Sequence, residues 1–170
     1  MLNSLTLDLP YPLMEDIKED KSCALKILHV YSSKHGELNA ILQYVYHFYI
    51  FCQLGKNQSA NTIMQIALAE MKHFLIIEKL LMLLGVEPKN LQKSSLFEDF
   101  SKVKSLNLAT DATKLILDDI SLEMVSINTY QQIIDGICNK KVKEVVERIK
   151  ADEQLHIKIL MQLFEEEKKK

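Results

Sequence analysis

Ala69-Glu70-Met71-Lys72-His73 is the stretch on which the reading of this 170-residue chain turns. It sets a glutamate and a histidine three residues apart, and residues at that spacing share one face of an α-helix. A helix built this way presents a carboxylate and an imidazole to a single metal ion. The same tetrad returns 83 residues later as Glu153-Gln154-Leu155-His156. One tetrad alone reads rather as a surface glutamate beside a partly buried histidine. Two of them, each inside a long helical pattern, call for a joint explanation.

Around Glu70, apolar residues recur at helical spacing from 57 to 84. Asn57 or Ser59 is placed to cap this helix, and Gly85 with Pro88 beyond it is a stop signal. Upstream, Leu38, Ile41, Leu42, Val45 and Phe48 predict a first helix over about 20–54, with a weak point at Gly36 and a break at Gly55-Lys56-Asn57. Thr110-Asp111 opens a third helix, about 110–135, broken by Gly136. A fourth, about 139–165, carries the second tetrad and runs out in Glu165, Glu166 and Glu167 and in Lys168, Lys169 and Lys170, which read as a solvated, fraying end. Between 87 and 108 the pattern loosens, with Ser94, Ser95, Ser101 and Ser105 and only short apolar pieces. The expected fold is all-α: a four-helix bundle with a long crossover, 87–108, between helices two and three. That stretch also reads as a short extra helix over the core.

Composition narrows the field in the same direction. Only four glycines and three prolines argue against a loop-rich β domain. A hydrophobic share of 48% suffices for one core, so a single domain over 1–170 is expected. A formal net charge of −2, with both signs interspersed, leaves no electrostatic footprint for nucleic acid. Cys23, Cys52 and Cys138 form no CxxC pair, which fits a reducing cytoplasm and buried thiols. The first twenty residues carry Asp8, Glu15 and Asp16 and no basic stretch, unlike a secretory signal. The most apolar run, Leu75 to Val86, is interrupted by Glu78 and Lys79, so no membrane span is expected.

Two further glutamates belong with the tetrads. Glu37 and Glu123 each lie in an apolar stretch, and a carboxylate there is costly to bury unless paired or metal-bound. Glu37 lies 18 residues before Gly55 and Glu70 lies 15 after it; Glu123 lies 13 before Gly136 and Glu153 lies 17 after. At about 1.5 Å per residue, the members of each hairpin fall within ~4–6 Å of one level. Four glutamates and two histidines at mid-bundle make a two-metal site. Each half also repeats a tyrosine seven residues after its first glutamate, Tyr44 after Glu37 and Tyr130 after Glu123. Such tyrosines serve either as plain core aromatics or as supports for the ligands.

The segments Glu37-Leu-Asn-Ala-Ile-Leu-Gln-Tyr44, Ala69-Glu-Met-Lys-His73 and Asp152-Glu-Gln-Leu-His156 resemble the rubrerythrin and bacterioferritin branch of the ferritin-like superfamily. The resemblance covers about residues 24–165. It implies that Glu70 and Glu153 bridge two metals, that Glu37 and Glu123 are terminal carboxylates, and that His73 and His156 bind one metal each. It implies a non-haem dinuclear protein, expected to hold two Fe ions, acting on peroxide or oxygen or oxidising ferrous ion. A separate electron donor protein and a homo-oligomer, dimer or larger, are the implied partners. Manganese catalase has a similar ligand set, so two Mn ions are the alternative; iron storage in a hollow oligomer is another, and a scaffold that keeps a metal for stability a third. Carboxylate and imidazole donors suit either metal. The chain departs from rubrerythrin in having no CxxC pairs of a rubredoxin domain. It has Ser126 where rubrerythrin has an additional glutamate one turn after its third-helix ligand.

The remaining expectations concern support. A ligating histidine usually donates its free ring N–H to a carboxylate, carbonyl or water. Asp119, four residues before Glu123, is expected to reach His73, although Asp118 and Asp119 also read as solvated charges. Asp152 is expected to serve His156. His29 and His35 carry no functional expectation, and His47 reads as packed or half-exposed. Met64, Met71, Met82 and Met124 are expected to fill the core rather than bind haem.

Overall fold

The computed structural model describes residues 3–33, 35–88 and 111–169. Within them lie five helices: α1 (Lys21–Ser32), α2 (Glu37–Gln53), α3 (Asn57–Leu83), α4 (Ala112–Gly136) and α5 (Lys140–Glu167). The expected crossover, apart from Glu87 and Pro88, lies outside the described residues. No helix among the described residues is long and apolar enough to cross a membrane.

The first helix expected over 20–54 is two helices. Ser33 leaves α1 in an extended conformation, and Gly36 caps α2. Gly36 donates to the Ser33 carbonyl at 2.9 Å and accepts from Ala40 at 3.1 Å. The turn is so tight that a Cβ on Gly36 would sit 2.5 Å from the Val30 carbonyl oxygen, which no side chain tolerates. Helical apolar spacing continues across the break, and one interior glycine costs only about 1 kcal/mol, so spacing alone hides it. The consequence is functional, because Glu37 becomes the first residue of α2.

The other ends follow ordinary capping. Asp20 accepts from the Cys23 amide at 2.9 Å, Asp111 from Thr113 at 2.9 Å, and Asn139 from Val142 at 3.2 Å. Gly85, at φ +82°, closes α3 with the Val86 amide returning to Leu81 at 3.0 Å. Neither Asn57 nor Ser59 caps α3, which begins after Lys56 without a side-chain cap. Ser59 instead donates to Glu167 at 2.6 Å, and Lys56 pairs with the same carboxylate. The end of α5 is therefore pinned to the start of α3, with Glu167 buried, not fraying as its charge suggested.

Two apolar layers set the helix directions. One joins α1 to the C-terminal halves of α3 and α4 and the N-terminal half of α5, through Ile27, Leu80, Ile134 and Val146. The other joins the C-terminal halves of α2 and α5 to the N-terminal halves of α3 and α4, through Phe51, Ile63, Leu115 and Leu160. So α3 and α4 run parallel, with α2 and α5 antiparallel to both. Between the layers lies a band of buried polar side chains. Met71, Met82 and Met124, expected in the core, are exposed on outer faces, while Met64 packs against the second layer. Cys23 is buried as expected, but Cys52 and Cys138 are exposed. Burial and the Asp20 charge push the Cys23 thiol up to about 11.

Candidate metal centre

Six side chains from four helices fill the polar band: Glu37 from α2, Glu70 and His73 from α3, Glu123 from α4, and Glu153 and His156 from α5. Each is at most 4% exposed. They form two overlapping groups, Glu37, Glu70, His73 and Glu153, and Glu70, Glu123, Glu153 and His156, with one donor atom per residue all within 4.8 Å in each group. Glu70 and Glu153 belong to both. His73 Nδ1 lies 3.2 Å from Glu153, 3.7 Å from Glu70 and 3.9 Å from Glu37. His156 Nδ1 lies 3.0 Å from Glu70, 3.1 Å from Glu153 and 3.3 Å from Glu123. The two imidazole rings stack at 5.9 Å between centroids.

The donors fit cations better than they fit one another. Glu37 Oε2, Glu70 Oε1, His73 Nδ1 and Glu153 Oε1 are buried and have no hydrogen-bond partner, a state that is costly without an ion to satisfy it. Four carboxylates with neutral imidazoles carry −4, which two divalent ions would cancel. The titration pattern without metal balances charge another way. Burial, and then neighbouring carboxylates, push Glu37 and Glu123 well above the usual carboxylate range. Burial acts likewise on Glu70 and Glu153, but contacts with the two imidazoles outweigh it and hold both below their ordinary values. Burial disfavours both imidazolium ions, yet the charges of Glu153 at His73 and Glu123 at His156 raise both histidines well above their ordinary values.

The outer nitrogens fix the tautomers. His156 Nε2 lies 2.9 Å from the Leu5 carbonyl oxygen. A carbonyl only accepts, so Nε2 carries the proton and Nδ1 keeps its lone pair for a metal when the ring is neutral. His73 Nε2 lies 3.1 Å from Asp152 Oδ2. Asp152 also accepts from Tyr11 at 2.5 Å and the Leu7 amide at 2.8 Å, and pairs with Arg148 at 2.6 Å. Burial pushes its carboxyl up, but the contacts with His73, Arg148, Tyr11 and Leu7 outweigh it and hold the carboxyl well below the usual range. An ionised Asp152 fixes His73 in the same tautomer as His156.

The two expectations for these aspartates are thus corrected. Asp152 serves His73, not His156, because α3 and α5 are antiparallel: a step back from Glu153 and a step forward from Glu70 lead to the same end of the bundle. Asp119 does not reach His73. Since α4 runs parallel to α3, a turn back from Glu123 leads toward the opposite end. There Asp119 lies 2.8 Å from His47 Nδ1 and accepts from Gln43 at 2.8 Å. Asp119 is fully buried rather than solvated, and burial, countered by His47, raises its carboxyl. His47 is fully buried too. The sequence carries no signal for this pair, ten residues past Glu37 on one helix and four before Glu123 on another.

The tyrosines cross between halves. Tyr44 donates to Glu123, and Tyr130 donates to Glu37, all four side chains being buried. Burial, reinforced by the Glu123 charge, raises the Tyr44 phenol well above its ordinary value, so it stays a donor.

A Ferritin-like family model matches residues 34–134. Among solved structures, the chain superposes on bacterioferritin from Rhodobacter capsulatus with a TM-score of 0.71, at 22% identity over 87% of this chain and 86% of that one. That bacterioferritin has a metal-free dinuclear site and a haem iron. The chain superposes on KatB, a manganese catalase from Anabaena, with a TM-score of 0.72, at 18% identity over 94% of this chain and 78% of that one. No curated protein sequence matches it.

Proposed function

Because the chain belongs to the ferritin-like family, we propose that it holds two redox-active divalent ions, iron in the leading reading, and acts on peroxide or oxygen or as a ferroxidase. The observation that carries this reading is the sharing of Glu70 and Glu153 by two buried donor groups. Two carboxylates common to both groups are what a bridged pair of ions needs. Glu37 and His73 would complete one ion's donors, and Glu123 and His156 the other's. Oxygen donors with one imidazole each, and no thiolate, suit Fe or Mn. Such a pair, once bound, would pass two electrons to peroxide or oxygen, replaced in turn from ferrous ion or another donor.

The chain's own side chains supply the rest. Tyr44 and Tyr130 hold the terminal glutamates from across the bundle. The apolar layers above and below keep bulk water from the carboxylates. A cleft between α2 and α4 is lined by Asn39, Gln43, Ser121 and Leu122. Large exposed side chains on α2 and α3, among them Tyr49, Leu75 and Met82, support association into a homo-oligomer. A separate electron donor would regenerate the reduced state.

The test is elemental analysis of protein from native cells, followed by anaerobic reduction and mixing with hydrogen peroxide or oxygen. Iron oxidised faster by peroxide supports a peroxidase; iron oxidised by oxygen with continued uptake of ferrous ion supports a ferroxidase. Manganese with oxygen evolution from peroxide would shift the assignment to a catalase. No metal and no turnover would overturn the proposal.

A further inference from the structure

Residues 3–14 have no regular secondary structure, yet the chain there is bonded into the centre of the bundle. The Leu5 amide donates to the Gln65 carbonyl of α3 at 3.0 Å, and the Leu5 carbonyl receives His156 Nε2. Two residues on, the Leu7 amide donates to Asp152 Oδ1. Tyr11 donates to Asp152 Oδ2, the oxygen on which His73 Nε2 also rests. Arg148 fastens the segment to α5 by donating from Nη2 to the Leu7 carbonyl at 2.9 Å and to the Leu9 carbonyl at 3.0 Å, and its guanidinium lies 4.4 Å from the centre of the Tyr11 ring. Lys72 Nζ lies 4.6 Å from the same ring centre.

We propose that residues 5–11 are a working part of the metal centre, a strap that sets the tautomer and ring orientation of both histidines and so tunes metal affinity. The inference rests on the two-metal reading of the site. Packing alone does not require what the strap provides. Its bonds end on the two ring nitrogens that face away from the carboxylates, one directly and one through Asp152. With the strap lifted, water replaces the Leu5 carbonyl, and water both donates and accepts, so His156 loses its fixed tautomer. His73 is hit less, because Asp152 keeps Arg148 after losing Leu7 and Tyr11. The strap's signature is therefore unequal loss at the two ions, greater at the one held by His156.

The experiment is a zinc titration, against a competing chelator, of the full chain, of the chain lacking residues 1–8, and of full-length Tyr11→Phe. Zinc is diamagnetic, so nitrogen-15 NMR of the loaded proteins reads each histidine's tautomer and ring N–H exchange. The full chain should bind two ions with both rings protonated at Nε2. The shortened chain should bind one ion 10–100-fold more weakly, the other with a smaller loss, and exchange the His156 ring proton faster. Tyr11→Phe keeps the ring over Arg148 and should weaken only the ion held by His73, which keeps the proposal testable if the shortened chain does not fold. Equal loss at both ions, or variants within twofold of the full chain, would overturn the strap. A full chain that binds no zinc would instead overturn the two-metal reading beneath it.

Discussion

Tyr130 of α4 donates its phenol to Glu37 of α2, and the relation is returned by Tyr44 of α2 donating to Glu123 of α4. Each helix thus carries both a terminal carboxylate and the support for the other's. Removing one phenol leaves a buried carboxylate oxygen without its donor. Tyr130→Phe should weaken the ion held by Glu37 and His73, and Tyr44→Phe the ion held by Glu123 and His156, each by about 10–100-fold. Stepwise metal titration reads the two constants separately. Loss at the opposite ion from the one named would contradict the pairing.

The shared carboxylates should behave differently from the terminal ones. Glu70→Ala and Glu153→Ala each take a donor from both groups, so neither variant should hold a pair of ions. Glu37→Ala and Glu123→Ala each take a donor from one group and should mainly weaken one ion. Two fully occupied sites in Glu70→Ala would show that it does not bridge.

Loading should release protons. Glu37, Glu123, His73 and His156 all have raised values without metal, so each keeps its proton to a higher pH than usual and a metal must compete with that proton. The sign is the same for all four: lowering pH opposes binding, and affinity climbs as pH rises. Protons should leave as the ions bind. Calorimetry in buffers of different ionisation enthalpy counts them. An affinity that stays flat as pH rises through neutrality would contradict the charge balance described for the band.

Stability should depend on a contact far from the band. Glu167→Ala leaves the buried Ser59 hydroxyl and Lys56 without their acceptor. The expected cost is about 1–3 kcal/mol in denaturant unfolding, with both metal constants unchanged. A variant as stable as the parent would return the end of α5 to the solvated role its composition suggests.

Much of the site was legible because helical spacing is a local rule. Glu70 with His73, Glu153 with His156, and the seven-residue steps to Tyr44 and Tyr130 are read within one helix, and mid-bundle levels follow from the rise per residue. Partners across the bundle were harder, because they depend on which helices run parallel. That is why spacing within single helices points Asp119 to His73 and Asp152 to His156, while the folded chain sets Asp119 against His47 and Asp152 against His73. The strap was not legible at all. Leu5 and Leu7 act through backbone carbonyl and amide groups, which every residue carries, at sequence separations of 151 and 145. The break before Glu37 rests on one glycine whose importance is the space at Val30, a tertiary fact.

The central claim, two ions bridged by Glu70 and Glu153, is tested most directly by counting metal. Anaerobic titration of the metal-free full chain with ferrous ion, read by elemental analysis after gel filtration, should give two ions per chain, and Glu70→Ala should retain no such pair. A full chain that saturates at one ion or none, or a Glu70→Ala variant that still holds two, would contradict the account.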